Sequence, residues 1–137
     1  MASFLRVSAR CHDGLVIMEL LSRVWNKGNV LSLESMSKDT LSPVGYLEQI
    51  AMMLKQNGLI KGARGAGGGY KLSRSPKDIS VREVVEALEG PIAILDCLGG
   101  GKDCVKTSVC KTKSVWNNIQ KEISGAMDKL NMAKIIK

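Results

Sequence analysis

Aromatic residues and long apolar runs are both scarce in this chain of 137 residues. Phe, Trp and Tyr make up 4% of it, which argues against binding RNA or single-stranded DNA by stacking bases on aromatic side chains. No apolar run approaches the ~20 residues that a membrane span needs, and charged residues interrupt the N-terminus before the apolar run at Leu15. We therefore expect no membrane partner and a cytoplasmic location.

Histidine is scarcer still, since His12 is the only one in the sequence. No constellation of a nucleophile and a base is evident, and covalent and acid–base catalysis depend on such a constellation. We therefore do not expect the protein to be an enzyme.

The charge balance is basic. Lysine and arginine number 20 against 13 acidic residues, which gives a formal net charge of +7. A basic surface suits polyanions, because counterions released from nucleic acid supply much of the binding free energy. Charge alone does not separate a nucleic-acid-binding protein from one whose surface is merely rich in lysine.

Apolar residues recur at three- and four-residue spacing through the first half of the chain. The pattern predicts a helix over 8–26, a short helix over 32–38, and a third helix that begins with Ser42 as N-cap and Pro43 as first helical residue. A short helix, a turn and a second helix form a helix-turn-helix, although an ordinary helical pair gives the same pattern. Polar groups near the start of the second helix reach base edges in the major groove. The residues predicted to face outward from this helix are Val44, Gly45, Glu48, Gln49, Met52 and Lys55.

Two short apolar strands flank a glycine-rich turn directly after this helical pair. Residues 59–61 and 70–72 predict the strands of a β-hairpin, and a hairpin in this place is a wing. Arg64, at the tip, suits a narrow minor groove, whose negative potential attracts arginine. The neighbouring glycines permit a close approach of the backbone to phosphate.

The second half predicts two more helices. Ser80 and Glu83 form a capping box that starts one helix, and Gly90 with Pro91 ends it. The last helix begins near Thr112 or Ser114. Its apolar residues alternate steps of three and four, as in the seam between two helices, so the helix needs a partner. That partner is a second subunit or the chain's own domain, and a twofold dimer would match a palindromic operator. The stripe comprises Trp116, Ile119, Ile123, Ala126, Leu130 and Ala133.

These patterns predict a mainly α fold with a small β-hairpin: a winged helix-turn-helix followed by a long C-terminal dimerisation helix. The predicted divisions are a DNA-binding domain at 1–91, a cysteine loop at 92–112 and a dimerisation helix at 113–137.

Three cysteines lie close together in that loop. Cys97, Cys104 and Cys110 follow the spacing C-x6-C-x5-C among glycines and lysines, and Cys11 is the only other cysteine. Thiolates select iron–sulfur clusters, zinc or copper, and structural zinc sites usually show Cys pairs two to four residues apart. The wider spacing therefore favours a cluster. Zinc binding and metal-free sensing through disulfide or sulfenate formation remain open.

Three motifs together resemble the Rrf family of bacterial winged-helix transcription regulators, which includes the IscR, NsrR, RirA and CymR types. They are Tyr46–Ile50 in the predicted recognition helix, Asn57–Ile60 after it, and Arg64–Leu72 in the wing. The likeness runs from about Leu5 to Lys134. It implies a homodimer that binds a palindromic double-stranded DNA operator and represses or activates transcription.

The resemblance also implies roles for individual residues. Members of the cluster type carry three cysteines where those of this chain stand, and these hold one 2Fe–2S or 4Fe–4S cluster per subunit. Glu48 and Gln49 resemble the residues that read bases, and Arg64 resembles the wing arginine in the minor groove. The full set of DNA-binding residues implied is Ser42, Val44, Tyr46, Glu48, Gln49, Arg64 and Gly65.

The fourth cluster ligand is where this chain departs from the family pattern. IscR-type proteins place a histidine three residues after the last cysteine, and this chain has Lys113 there. In NsrR-like relatives a residue of the partner's N-terminal helix completes the set, and His12 stands at the matching place. Cys11 and Asp13 flank it. An ordinary exposed helix residue is the alternative for His12, and a small buried thiol is the alternative for Cys11.

The sequence thus favours a cluster-dependent DNA-binding regulator that senses iron or cluster status, redox state or nitric oxide. The alternative is a metal-free winged-helix regulator controlled by thiol oxidation or by binding a metabolic enzyme, as in CymR-type relatives. Those relatives lack the three cysteines.

Overall fold

Helices dominate the computed structural model, which describes residues 6–63, 68–95, 98 and 110–136. Six α-helices, two 3-10 turns and one two-stranded antiparallel hairpin make up these residues, which confirms the predicted fold class. The elements are α1 (Ala9–Arg23), a 3-10 turn (Trp25–Lys27), α2 (Leu33–Thr40), α3 (Val44–Gln56), β1 (Ile60–Ala63), β2 (Gly69–Leu72), a 3-10 turn (Pro76–Asp78), α4 (Val81–Glu89), α5 (Lys113–Lys129) and α6 (Met132–Ile135).

Serine side chains start three of the helices. Ser8 accepts a hydrogen bond from the backbone N–H of Cys11 at the start of α1, and Ser32 accepts one from the backbone N–H of Ser35 at the start of α2. At α4 the predicted capping box is confirmed, with the Glu83 N–H 3.1 Å from Ser80 Oγ and the Ser80 N–H 2.8 Å from Glu83 Oε2. Each such cap satisfies a backbone donor that the helix leaves unpaired.

The predicted start of α3 is wrong by one residue. Pro43, not Ser42, is the N-cap, and Val44 is the first helical residue. The φ of −61° at Pro43 suits either position, but its ψ of 142° is extended, and the proline ring does not restrict ψ to the helical value. The hydroxyl of Ser42 instead lies 3.5 Å from the carbonyl oxygen of Thr40.

The core lies between α1, α3 and α4, with the hairpin closing one side. Helix α3 is central, since it packs against α1, α2, α4 and β1. Fully burying an aliphatic side chain contributes roughly 1.5–3 kcal/mol, so these contacts hold α3 with one face fixed inward. The largest fully buried side chains belong to Ile17, Met18, Leu21, Met36, Leu47, Ile50, Leu54, Leu59, Leu72, Ile79, Leu88 and Met132.

The hairpin is tied to the rest of the domain by main-chain hydrogen bonds. Its register pairs Ile60 with Leu72 and Ala63 with Gly69. Leu31, before α2, pairs with Tyr70 through two bonds, of 3.0 and 2.8 Å. The base of the wing is therefore anchored to the segment that enters the helix-turn-helix.

The predicted last helix is not continuous. Helix α5 ends at Lys129, Leu130 is extended, and Asn131 caps the separate helix α6. Two interactions outweigh helical continuation: Met132 is fully buried in the core, and the backbone of 130–132 bonds to 79–81, with N···O distances of 2.8 and 2.9 Å. Leu130 and Ala133 therefore do not extend the stripe of α5, and the chain returns to the winged-helix domain.

Among the helices of the described residues, none combines the length and the apolar character needed to cross a membrane.

Leu41, between α2 and α3, should be a site of stored strain. Its φ is 57° and its side chain is 92% exposed, so little packing offsets a left-handed backbone. Such a backbone costs a residue with a Cβ roughly 1–2 kcal/mol. Allowing for the extra flexibility of glycine in the unfolded chain, Leu41→Gly should raise the free energy of unfolding by about 0.5–1 kcal/mol in chemical denaturation.

Leu41→Ala is the matched control, because alanine keeps the Cβ and loses only exposed surface. It should leave the free energy of unfolding nearly unchanged. An equal gain from alanine and glycine would show that backbone strain is not the cause.

Candidate nucleic-acid interface and cysteine site

Helix α3 presents two different faces. Leu47, Ile50, Ala51 and Leu54 are fully buried, and this burial decides which residues remain outside. Val44 is half-buried, and the other predicted outward residues are exposed: Gly45, Glu48, Gln49, Met52 and Lys55.

The start of α3 favours a negatively charged partner. Because the first turn of α3 contains no acidic residue, no carboxylate in that turn offsets the partial positive charge of the helix N-terminus. Glu48 lies beyond the first turn and Gly45 adds no side chain. A Cβ at Gly45 would meet no atom within 4 Å, so the surface there is open.

Tyr46 connects α3 to α1. Its ring is half-buried against the core, and its hydroxyl donates a 2.9 Å hydrogen bond to Oδ2 of Asp13. Burial, followed by the hydrogen bond and negative charge of Asp13, raises the pKa of Tyr46. The sequence pattern singled out Tyr46 but did not indicate Asp13 as its partner, because the two residues are far apart in the chain.

The wing brings two lysines together at its base. Lys61 and Lys71 are register partners in β1 and β2. The predicted tip residues Arg64 and Gly65 lie outside the described residues. Gly69 packs so closely on the segment before α2 that a Cβ at Gly69 would lie 2.2 Å from the carbonyl oxygen of Leu31.

The described cysteines have opposite environments. Cys110 is exposed just before α5, and hydrogen bonds from the backbone N–H and the hydroxyl of Thr112, with further help from Lys113, lower the pKa of its thiol. Cys11 is 5% exposed, and burial, with the charge of Glu89, raises its pKa. Cys97 and Cys104 lie outside the described residues, and within the described ones no three potential metal ligands come together.

His12 lies on the first turn of α1 with its side chain 72% exposed. Its Nδ1 is 3.1 Å from Oδ1 of Asp13. With Nδ1 engaged in this way, Nε2 is the nitrogen left for a ligand bond.

Glu89 joins the start of α1 to the end of α4. Its carboxylate accepts a hydrogen bond from the Ser8 hydroxyl and lies 3.8 Å from the Arg10 guanidinium. Glu89 is the last residue of α4, so the N-terminal helix starts beside the point where the chain leaves for the cysteine segment. The sequence offered no signal for this contact.

A helix-turn-helix followed by a two-stranded wing, on a basic chain, defines the winged-helix class of DNA-binding proteins. Within this class, the family model described as "Rrf2: Iron-dependent Transcriptional regulator" matches residues 7–137, so the chain belongs to the Rrf2 family. It is therefore a DNA-binding transcription regulator. Because members of the family are transcription regulators, the expectation that it is not an enzyme is confirmed.

Individual relatives of two types are similar to the chain. The HTH-type transcriptional regulator IscR of Klebsiella pneumoniae (strain 342) is 30% identical over 93 residues, which cover 68% of this chain and 56% of that protein. The structure of T. potens IscR is 33% identical, with a TM-score of 0.74, and covers 94% of this chain and 84% of that one. The structure of CymR (YrzC), the global cysteine regulator of B. subtilis, is 29% identical, with a TM-score of 0.77, and covers 94% of each chain. The chain thus spans little more than half the length of the Klebsiella relative.

Gly69→Ala should disturb the wing. The added methyl group would meet backbone atoms of Leu31, which cannot rotate away as a flexible side chain would. We expect the free energy of unfolding to fall by about 1–3 kcal/mol, as for other overpacked sites, and operator affinity to weaken at fixed salt.

Gly62→Ala, in the same hairpin, is the control for Gly69→Ala. Its Cβ would come no closer than 3.9 Å to any atom outside its neighbours. If the two variants have the same denaturation curves and the same operator affinities, the contact with Leu31 is not what requires glycine at position 69.

Cys110 should react with iodoacetamide at lower pH than an ordinary cysteine. Because its pKa is lowered, a larger fraction is thiolate at any pH below the ordinary thiol range, whereas Cys11 is buried and has a raised pKa. Mass spectrometry of alkylated peptides from the metal-free protein gives the rate at each residue across pH.

Thr112→Val removes the hydroxyl and keeps the backbone N–H, so it should move the Cys110 profile part of the way towards higher pH. A wild-type profile that matches an unstructured cysteine peptide would contradict the lowered pKa.

Proposed function

We propose that this chain is a transcription regulator whose operator affinity depends on an iron–sulfur cluster, 2Fe–2S or 4Fe–4S, with one cluster per subunit of a homodimer. The observation that carries the proposal is the thiol of Cys110, the last of the three close-set cysteines. It is exposed, and hydrogen bonds from Thr112 and Lys113 lower its pKa. Such a thiol is biased towards thiolate, the form that ligates metal.

The donor set fits a cluster as far as the described residues extend. Cys110 supplies a thiolate-prone ligand, and Cys97 and Cys104 join it through their spacing in the sequence. Cys11 fits poorly, since it is buried with a raised pKa, and the cationic amine of Lys113 is a poor ligand. When bound, the cluster supplies a centre that responds to iron supply, redox state or nitric oxide.

His12 is the proposed fourth ligand, provided by the partner subunit. Its exposure of 72% makes it accessible to a second chain. The start of α1 also lies beside the end of α4, where Glu89 meets Ser8 and Arg10. These contacts hold the start of the helix that carries His12. The assignment to the partner follows from the resemblance to NsrR-like relatives.

The DNA-binding surface combines the outer face of α3 with the wing. Glu48 and Gln49 are exposed and are assigned to base edges in the major groove, where polar side chains of a recognition helix read sequence. Arg64 and Gly65, the residues predicted for the wing tip, are assigned to the minor groove. Ser42, Val44 and Tyr46 complete the surface around the start of α3.

Helix α5 is the proposed dimer contact, in the segment 113–137 that follows the domain 1–91 and the cysteine segment 92–112. Of its residues, Ser124 alone is buried. Val115 and Ile119 are 52% and 40% exposed. A helix with an apolar stripe must bury it against another element, so a second copy covers this face, and the dimer's twofold axis suits a palindromic operator.

The similarity to CymR supports a second candidate, a metal-free regulator controlled by thiol oxidation or by binding a metabolic enzyme. The fold is similar to that of CymR over 94% of both chains, and the lowered pKa of Cys110 would serve oxidation as well as ligation. The three close-set cysteines favour the cluster over this alternative.

Anaerobic purification followed by a visible spectrum and iron and sulfide analysis distinguishes the two candidates. We expect a brown protein with broad visible bands. Cys110→Ser should remove most of the colour, and Cys11→Ser, at the buried thiol, should keep it. A colourless wild type without iron and sulfide would reject the cluster.

Operator affinity, measured with and without the cluster at one salt concentration, then tests whether the cluster regulates DNA binding. Equal affinities would refute the proposed dependence. His12→Ala should weaken the cluster, and an unchanged spectrum and stability would exclude His12 as a ligand.

A further inference from the structure

The carboxylate of Asp13 lies between α1, which carries the proposed ligand His12, and α3. Asp13 Oδ1 is 3.1 Å from Nδ1 of His12, and Asp13 Oδ2 accepts the 2.9 Å hydrogen bond from the Tyr46 hydroxyl. The Asp13 side chain is 24% exposed. Its two oxygens are thus divided between a residue of α1 and a residue of α3.

On the DNA side, Tyr46 belongs to the first turn of α3. The exposed residues Glu48 and Gln49 lie two and three residues further along the same helix, and the buried Leu47 lies between them and Tyr46. A change in the position of Tyr46 would therefore move the turn that leads into the proposed base contacts.

On the ligand side, the contact between Asp13 and His12 has the form found at metal-bound histidines. A histidine that ligates through one ring nitrogen almost always donates its other N–H to a carboxylate, a carbonyl or a water, which fixes the ring and its tautomer. Here Nδ1 faces Asp13, so a bond at Nε2 would leave the Nδ1–H pointing at the carboxylate.

We propose that Asp13 is a positioning residue that links ligation at His12 to the placement of Tyr46 and of the first turn of α3; this rests on the proposed function. With His12 bound through Nε2, its Nδ1–H holds Oδ1 of Asp13, and Oδ2 holds Tyr46. Without the ligand bond, the contact at Oδ1 depends on an exposed histidine ring that is free to rotate, while Tyr46 stays bonded to Oδ2. The same carboxylate is thus fixed on both sides in one state and on one side only in the other, which couples the two sites.

Two variants separate the two halves of the link. Asp13→Ala removes both hydrogen bonds, whereas Tyr46→Phe removes only the bond to α3. Asp78→Ala is the charge-matched control, since Asp78 is an exposed carboxylate in the 3-10 turn after the wing. Each dimer is prepared anaerobically, and its cluster loss to a chelator is followed by visible absorption. Operator affinity is then measured in the loaded and the cluster-free form at one salt concentration.

We expect Asp13→Ala to lose its cluster about 10-fold faster than the wild type, the lower end of the effect of removing such a partner. Tyr46→Phe should lose it at the wild-type rate. In both variants, the ratio of the operator affinity of the loaded form to that of the cluster-free form should lie at least about threefold closer to one than in the wild type. A merely structural role would shift both affinities together and leave the ratio unchanged.

Asp78→Ala should keep the wild-type ratio of loaded to cluster-free operator affinity. The proposed link is overturned if Asp13→Ala and Tyr46→Phe both keep that ratio too, or if Asp13→Ala loses its cluster no faster than the wild type. If Asp13→Ala does not fold, the ratio in Tyr46→Phe decides alone. A wild type that carries no cluster would refute the proposed function and this link with it, whereas a wild type with a cluster and unaffected variants would refute the link alone.

Discussion

The meeting of α1, α3 and α4 at Gly14 is the contact on which the arrangement of this domain depends. A Cβ at Gly14 would lie 2.1 Å from Leu88 Cδ1 and 3.4 Å from Ile50 Cγ2, so the absence of a side chain at Gly14 leaves the space between the helices that Leu88 fills. This approach sets the start of α1 against the end of α4. It also brings Asp13 within hydrogen-bond distance of Tyr46 on the recognition helix.

The two described thiols show how this packing divides chemically similar residues. Cys11 stands on α1 beside the packed interface, and its burial, with the nearby charge of Glu89, favours the neutral thiol. Cys110 stands before α5, where backbone and hydroxyl donors stabilise the thiolate. A cysteine on the packed face of a helix serves as a small apolar residue. Of the two described thiols, only Cys110, just before α5, is exposed and biased towards thiolate.

The proposed DNA-binding surface depends on the same core from its other side. Since α3 is held by buried residues on one face, its remaining face projects Glu48 and Gln49 without further support. The base of the wing shares that core through Ile60 and Leu72. Main-chain bonds between Leu31 and Tyr70, which close contact at Gly69 allows, also tie it to the segment before α2. The base of the wing and the entry to the helix-turn-helix are therefore joined directly by hydrogen bonds.

The sequence by itself determined the order of helices and the hairpin, the capping box at Ser80, and the outward face of α3. These features follow from periodicity and from contacts between residues only a few positions apart, which a linear pattern records. It did not determine that α5 stops at Lys129, because the burial of Met132 and its backbone bonds to the segment before α4 are long-range. Only the tertiary structure decided that Asp13 of α1 bonds to Tyr46 of α3 and that Glu89 of α4 anchors the start of α1. These pairs lie on different helices, and no spacing along the chain encodes the packing that brings them together.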